Sequence, residues 1–156
     1  MIVEHLTKAD ATQIATIHEF FNDYGYASYE GEDFQSFFNK APYQFICLYE
    51  ESRLIGALLF SHLEDEAEII EIAIAQDKQG QGFAKSLLLT LQDILIARSC
   101  QRLILEVAET NLPARSLYER FGFTVCGKRS GYYQRITGDT MKKIDALIME
   151  LWLLKV

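Results

Sequence analysis

Apolar residues recur along the chain in two rhythms, alternating or near-continuous runs and sets spaced three to four apart, and these lay out the elements. Ile2 to His5 predicts a short first strand. Thr7-Lys8-Ala9-Asp10 resembles a capping arrangement, after which Ile14, Ile17, Phe20 and Phe21 share one face of a helix. Asp23 to Asp33 reads as a loop rich in aromatics (Tyr24, Tyr26, Tyr29), and Phe34 to Asn39 as a short second helix. Gln44–Tyr49 and Arg53–His62 form a hairpin through Glu50-Glu51-Ser52. The acidic stretch Glu64-Asp65-Glu66 separates it from a buried strand over Ile69–Ala75. Phe83, Leu87, Leu91, Ile94 and Leu95 then mark a long central helix.

Beyond that helix, Arg102–Val107 reads as a strand and Asn111–Phe121 as a helix, with Pro113 in its first turn and Gly122 ending it. Thr124–Arg129 and Ile144–Leu153 are the last strands, joined by a polar loop holding Gly131, Gly138 and the pair Tyr132-Tyr133. No repeat, linker or internal boundary interrupts the 156 residues, so a single domain over 1–156 is expected. The uneven alternation of strands and helices predicts a mixed α/β (α+β) sheet with helices on both faces.

Composition narrows the function classes. Hydrophobic residues make up 49% and charged residues 24%, and the net charge is −7 with no lysine–arginine block, so no nucleic-acid partner is expected. The acidity suits either a basic peptide substrate or an ordinary solvated surface. Cys47, Cys100 and Cys126 form no C-x-x-C pair and read as buried free thiols in a reducing compartment. His5, His18 and His62 lack metal-ligand spacing, so no metal is expected. The N-terminus carries no signal pattern, and charges interrupt every apolar stretch before membrane-spanning length, so a cytoplasmic protein with no membrane partner is expected.

Candidate chemistry centres on Gln79-Gly80-Gln81-Gly82-Phe83-Ala84, between the Ile69 strand and the central helix. Glycines there expose backbone N–H groups where the helix dipole is positive, which suits a phosphate or pyrophosphate. A Walker loop fails, because Gln79 and Ala84 stand where its glycines belong. A dinucleotide fingerprint fails because Lys85 takes the third glycine position. The form that fits, Q-x-x-G-x-A, resembles the acetyl-CoA pyrophosphate loop of the GNAT N-acetyltransferases.

Two further strings follow in that family's order. Leu105-Glu106-Val107 ends a strand, and Asn111 to Phe123 reads N-x-x-A-x-x-L-Y-x-x-x-G-F. Asn111 and Tyr118 lie two helical turns apart and share a face, while Leu117 and Phe121 share another. With Glu71-Ile72-Ala73-Ile74, Gly131-Tyr132-Tyr133 and Asp145-Ala146-Leu147-Ile148-Met149, the chain is similar, over roughly residues 67 to 152, to ribosomal-protein alanine N-acetyltransferases of the RimI type. It departs at Ala75-Gln76, where relatives often carry aspartate–proline. It departs again at Ser130-Gly131, where an arginine or lysine with asparagine commonly precedes the tyrosines.

The resemblance implies a GNAT fold: a central mixed, mostly antiparallel, splayed sheet of about seven strands with about four flanking helices. It implies acetyl-CoA as co-substrate and an amine as acceptor. Glu106 would be the general base and Tyr118 the acid, against the plainer readings of a salt-bridged strand-end glutamate and a packed core tyrosine. Backbone groups of Ile72, Ala73 and Ile74 would meet the pantetheine and the developing oxyanion, and Gln79, Gly80, Gln81, Gly82, Phe83 and Ala84 the pyrophosphate. Asn111 would bond the pantetheine or simply cap its helix, and Lys85 either adds charge or is solvated. Tyr24, Tyr26, Tyr132 and Tyr133 would line the acceptor groove. The implied acceptor is a protein or peptide N-terminus, a ribosomal protein by resemblance. A lysine or small amine, or a non-catalytic acyl-CoA-binding module, are the alternatives. A monomer or weak dimer is expected.

Overall fold

The computed structural model describes residues 1–26 and 31–153, without the side chains of residues 31–33, 37 and 133–137. The described elements are β1 (Ile2–Leu6), α1 (Ala11–Tyr24), α2 (Gly31–Phe38), β2 (Tyr43–Glu50), β3 (Arg53–Leu63), β4 (Glu66–Ile74), α3 (Phe83–Ala97), β5 (Arg102–Ala108), α4 (Leu112–Phe121), β6 (Thr124–Thr137) and β7 (Thr140–Trp152). The seven strands form one sheet in the order β1-β2-β3-β4-β5-β7-β6. Every neighbouring pair is antiparallel except β4 and β5.

Strand alternation builds two cores. On β2, Ile46 and Leu48 face one side, where Leu87, Leu91 and Leu95 of α3 pack with Leu58 and Phe60 of β3. Phe45 and Cys47 face the other, against Ile14, Ile17 and Phe21 of α1 and Phe34 of α2. Burying such side chains on both faces of β2 and β3 explains why these strands read as near-continuous apolar runs.

The capping arrangement expected over Thr7–Asp10 resolves to its last residue, where Asp10 Oδ1 accepts from the Gln13 N–H at 2.8 Å and Gln13 Oε1 from the Asp10 N–H at 2.9 Å. Two local expectations change. The polar loop expected after Arg129 is largely strand, because β6 and β7 stay paired from Tyr133↔Ile144 out to Thr137↔Thr140. Thr140 to Lys143 are exposed, so no apolar face announced that extension, and Gly138 turns the hairpin at a φ of 62°. Cys126, expected buried, is exposed, while Cys47 and Cys100 are buried.

The sheet opens in its middle. Leu59 faces Glu71 while Phe60 faces Ile69, so Ile70 is an extra residue and β4 carries a bulge. The parallel pairing of β4 with β5 covers only Glu66–Ile69 against Arg102–Leu105. Beyond it β4 stays paired to β3 as far as Ile74, and β5 to β7 as far as Ala108. Each strand therefore leaves one edge facing the gap.

Burial pushes the Cys47 thiol up to about 12, and thiolate is the reactive form. In native protein a disulfide-exchange reagent is expected to titrate one thiol, Cys126, with the other two reacting only after denaturation. Rapid reaction of two or more native thiols would contradict the burial of Cys47 on β2 or of Cys100 ahead of β5.

Candidate active site

The turn after β4 is tied down from several sides. Arg53 grips Asp77 with both nitrogens at 2.8 and 2.7 Å, and this guanidinium holds the Asp77 carboxyl down to about 2. Gln79 Nε2 donates to the Ile74 carbonyl at 3.0 Å, and Gln81 Nε2 to the Asp77 carbonyl at 3.1 Å. The two glutamines thus hold the loop's own backbone. Gly80 and Gly82 take φ of 73° and 87°, a left-handed conformation that glycine adopts without strain. Gly82 is the N-cap of α3 and supplies no side-chain cap. The first N–H groups of α3 therefore face outward at the positive end of a 15-residue helix, an arrangement that receives anions.

A groove of about 700 Å³ runs from this helix end along β4 to α4. Nine of the ten residues expected at the cofactor line it: Ile72, Ala73, Ile74, Gln79, Gly80, Gly82, Phe83, Ala84 and Asn111. Gln81 does not, having turned to the Asp77 carbonyl. Lys85 and Arg120 give the groove its cationic lining, with Lys78 beside them paired to Glu50, in a chain of net charge −7. Its size, charge and helix terminus fit an elongated ligand with phosphate groups.

Where β4 leaves β5, a smaller cavity of about 110 Å³ opens, walled by Ile72 and Glu71 of β4 and Glu106 and Val107 of β5. Ile72, Asn111, Ala114 and Tyr118 line both cavities and so join them. Asn111 also caps α4, its Oδ1 accepting from the Ala114 N–H at 3.4 Å. Tyr118 is buried, its ring edge-on to Phe123 at 5.6 Å between centroids. Glu106 pairs with Arg129 at 2.9 Å. Both of the plainer roles weighed for Asn111 and Tyr118 are thus present together with positions in the cavity wall.

The tyrosines divide. Tyr24 lines the larger groove and Tyr26 the smaller cavity. Tyr132 lies under the Arg129 guanidinium, 4.0 Å from ring centroid to Cζ. Tyr29 and the side chain of Tyr133 lie outside the described residues. Among the described residues no group of three or more His, Cys, Asp or Glu is arranged to hold a metal ion, and no helix is long and apolar enough to cross a membrane.

Three residues at this site were not singled out by sequence. Glu71 is the one charged side chain buried among the described residues, at 7% exposure. It accepts from the Tyr26 N–H at 3.3 Å, and its Cδ would lie 3.3 Å from a Cβ built on Gly25. The end of α1 is thereby fastened to β4. Glu68 has its carboxyl raised above the ordinary range by burial, then by the nearby Glu106 and Glu66 carboxylates. Arg129 completes the set. A glutamate inside an otherwise apolar strand, as in Ile69-Ile70-Glu71-Ile72, was the one signal available for Glu71.

The profile of the acetyltransferase (GNAT) family matches residues 13–123. The chain is 36% identical over 104 residues to the ribosomal protein bS18-alanine N-acetyltransferase of Haemophilus ducreyi, a match covering 67% of this chain and 70% of that one. It is 32% identical over 126 residues to the Escherichia coli protein of the same name, covering 81% and 76%. The crystal structure of the ribosomal-protein alanine N-acetyltransferase from Escherichia coli superposes with a TM-score of 0.85 at 27% identity, covering 99% of this chain and 96% of that one. Arabidopsis thaliana NAA60 in complex with acetyl-CoA gives a TM-score of 0.79 at 18% identity over 97% and 99%, a likeness of fold alone.

Glu71→Ala is expected to destabilise the protein by about 1–3 kcal/mol, since it empties a buried side-chain site and removes the acceptor of the part-buried Tyr26 N–H. Glu71→Gln, which keeps an acceptor oxygen, should cost less. Denaturant unfolding measures both, and equal losses would contradict the fastening role.

Proposed function

Because this chain belongs to the GNAT family of acetyltransferases, we propose that it moves the acetyl group of acetyl-CoA onto the α-amine of a protein N-terminus. A ribosomal protein beginning with alanine is the proposed target, after the names of its relatives. The observation that carries this reading is the joining of two cavities at Ile72, Asn111, Ala114 and Tyr118. One is long, cationic and ends at a helix N-terminus. The other is small and carries carboxylates.

In this reading acetyl-CoA supplies a thioester carbonyl, and its phosphates rest on the N–H groups that begin α3. The pantetheine arm adds along the edge of β4 at Ile72 to Ile74, where β5 has left that edge without a strand partner. Backbone N–H groups of that edge stabilise negative charge developing on the carbonyl oxygen. The amine enters from the smaller cavity. Glu106 removes a proton from the attacking nitrogen, directly or through one water. Tyr118 donates a proton to the departing sulfur, and its burial keeps the phenol at the junction of the two cavities.

An α-amine suits this machinery better than a lysine. Its pKa of about 7.7–8.0 leaves a sizeable neutral fraction at pH 7, whereas lysine, at about 10.4, must lose a proton held about 3.5 kcal/mol more tightly.

Two peptides test the acceptor, one with free N-terminal alanine and no lysine, the other with a blocked N-terminus and one lysine. Mass spectrometry is expected to find acetylation of the first alone, and modification of the second alone would overturn the α-amine assignment. With the first peptide, Glu106→Gln is expected to lower kcat by about 10²–10⁴-fold, the usual worth of a general base, with acetyl-CoA affinity kept. An unchanged rate would remove Glu106 from the mechanism.

A further inference from the structure

Glu106 stands on β5 and its ion-pair partner on β6, yet the two strands are not neighbours, since β7 lies between them. Glu106 pairs in register with Ile148, and Arg129 with Ala146. Residues paired across strands or two apart along one strand share a face, so both side chains rise from the same side of the sheet. Arg129 reaches Glu106 across β7 from its place opposite Ala146. Its Nη1 donates to both oxygens of Glu106, at 2.9 and 3.2 Å.

The far side of the guanidinium is braced. Arg129 pairs with Ala146 and Tyr133 with Ile144, so Ser130, Gly131 and Tyr132 bulge opposite Asp145 alone. Asp145 Oδ1 accepts from the Gly131 N–H at 2.7 Å, and Gly131 takes a φ of 63°. Lys128 binds both Asp145, at 3.2 Å, and Glu109, at 3.4 Å. This fixed bulge lays the Tyr132 ring against Arg129, 4.0 Å from Cζ to the centroid. Glu106 is among the residues lining the smaller cavity, and Arg129 is not.

We propose that Arg129 is a positioning residue for Glu106: it grips the carboxylate from outside the cavity, braced on Tyr132, and leaves the cavity side of the carboxylate for the amine. The proposal rests on Glu106 being the base. A free glutamate at a strand end samples several rotamers, and a carboxylate aimed wrongly by an ångström transfers protons poorly. Here the aim is set by a chain of contacts running from Asp145 through the bulge, Tyr132 and Arg129. On this reading Tyr132 supports the base and is not a direct wall of the acceptor groove.

A double-mutant cycle with Arg129→Gln and Glu106→Gln tests this, read as kcat and KM for the alanine peptide and Kd for acetyl-CoA. Arg129 is half exposed, so its replacement leaves the core intact. Arg129→Gln is expected to lower kcat about tenfold, with peptide KM and acetyl-CoA Kd within about twofold. Arg129→Lys should recover part of the rate, and Arg129→Gln should add nothing in the Glu106→Gln background. An unchanged kcat in Arg129→Gln would overturn the proposal. So would a rise in peptide KM with kcat kept, or losses that simply multiply in the double variant. Failure of the base assignment shows separately, as an active Glu106→Gln single variant, and would overturn the positioning role with it.

Discussion

Parallel pairing between β4 and β5 stops after four residues on each strand, and the remaining architecture of the site follows from that stop. A backbone edge inside a folded domain must find hydrogen-bond partners in protein, water or ligand. The bulge at Ile70 bends β4 as the pairing ends, while β3 and β7 keep each strand fixed on its far side. The result is a gap with rigid walls. Groups that must meet across it do not depend on loop order for their placement.

The two ends of the gap are built with different chemistry. Toward α3, left-handed glycines and glutamines bonded to the loop's own carbonyls leave a helix start open, beside Lys78 and Lys85. Toward the other end stand Glu71 and Glu106, with Glu68 close enough to Glu106 to feel its charge. A ligand carrying phosphates and one bringing a cationic amine would be sorted to opposite ends by charge alone. Tyr118 and Asn111, two turns apart on α4, stand where the ends meet.

Sequence periodicity carried the fold further than it carried the site. Strands β2 and β3 were legible because burial on both faces leaves near-continuous apolar runs, β4 because its apolar residues outnumber its glutamates, helix α3 because its apolar residues recur at helical spacing on the buried face, and Asn111 and Tyr118 because helical spacing sets them on one face. The bulge at Ile70 left no glycine or proline to mark it. The outer half of the β6–β7 hairpin has solvent on its described β7 side chains, so nothing apolar distinguished strand from loop. Arg129 was invisible as a site residue because its partner lies 23 positions away across an intervening strand. Such a contact depends on sheet order, which no local pattern encodes. Thr7 and Asp10 both satisfy a cap's chemistry, and only the helix start at Ala11 decides between them.

The most direct measurement of the central claim is amide hydrogen exchange with and without acetyl-CoA. If the co-substrate takes the edge that β5 leaves open, the Ile72 and Ile74 amides, which face the gap, should slow on its addition, together with those opening α3 at Phe83 to Lys85. Protection at α3 without any at β4, or none at either, would contradict the account.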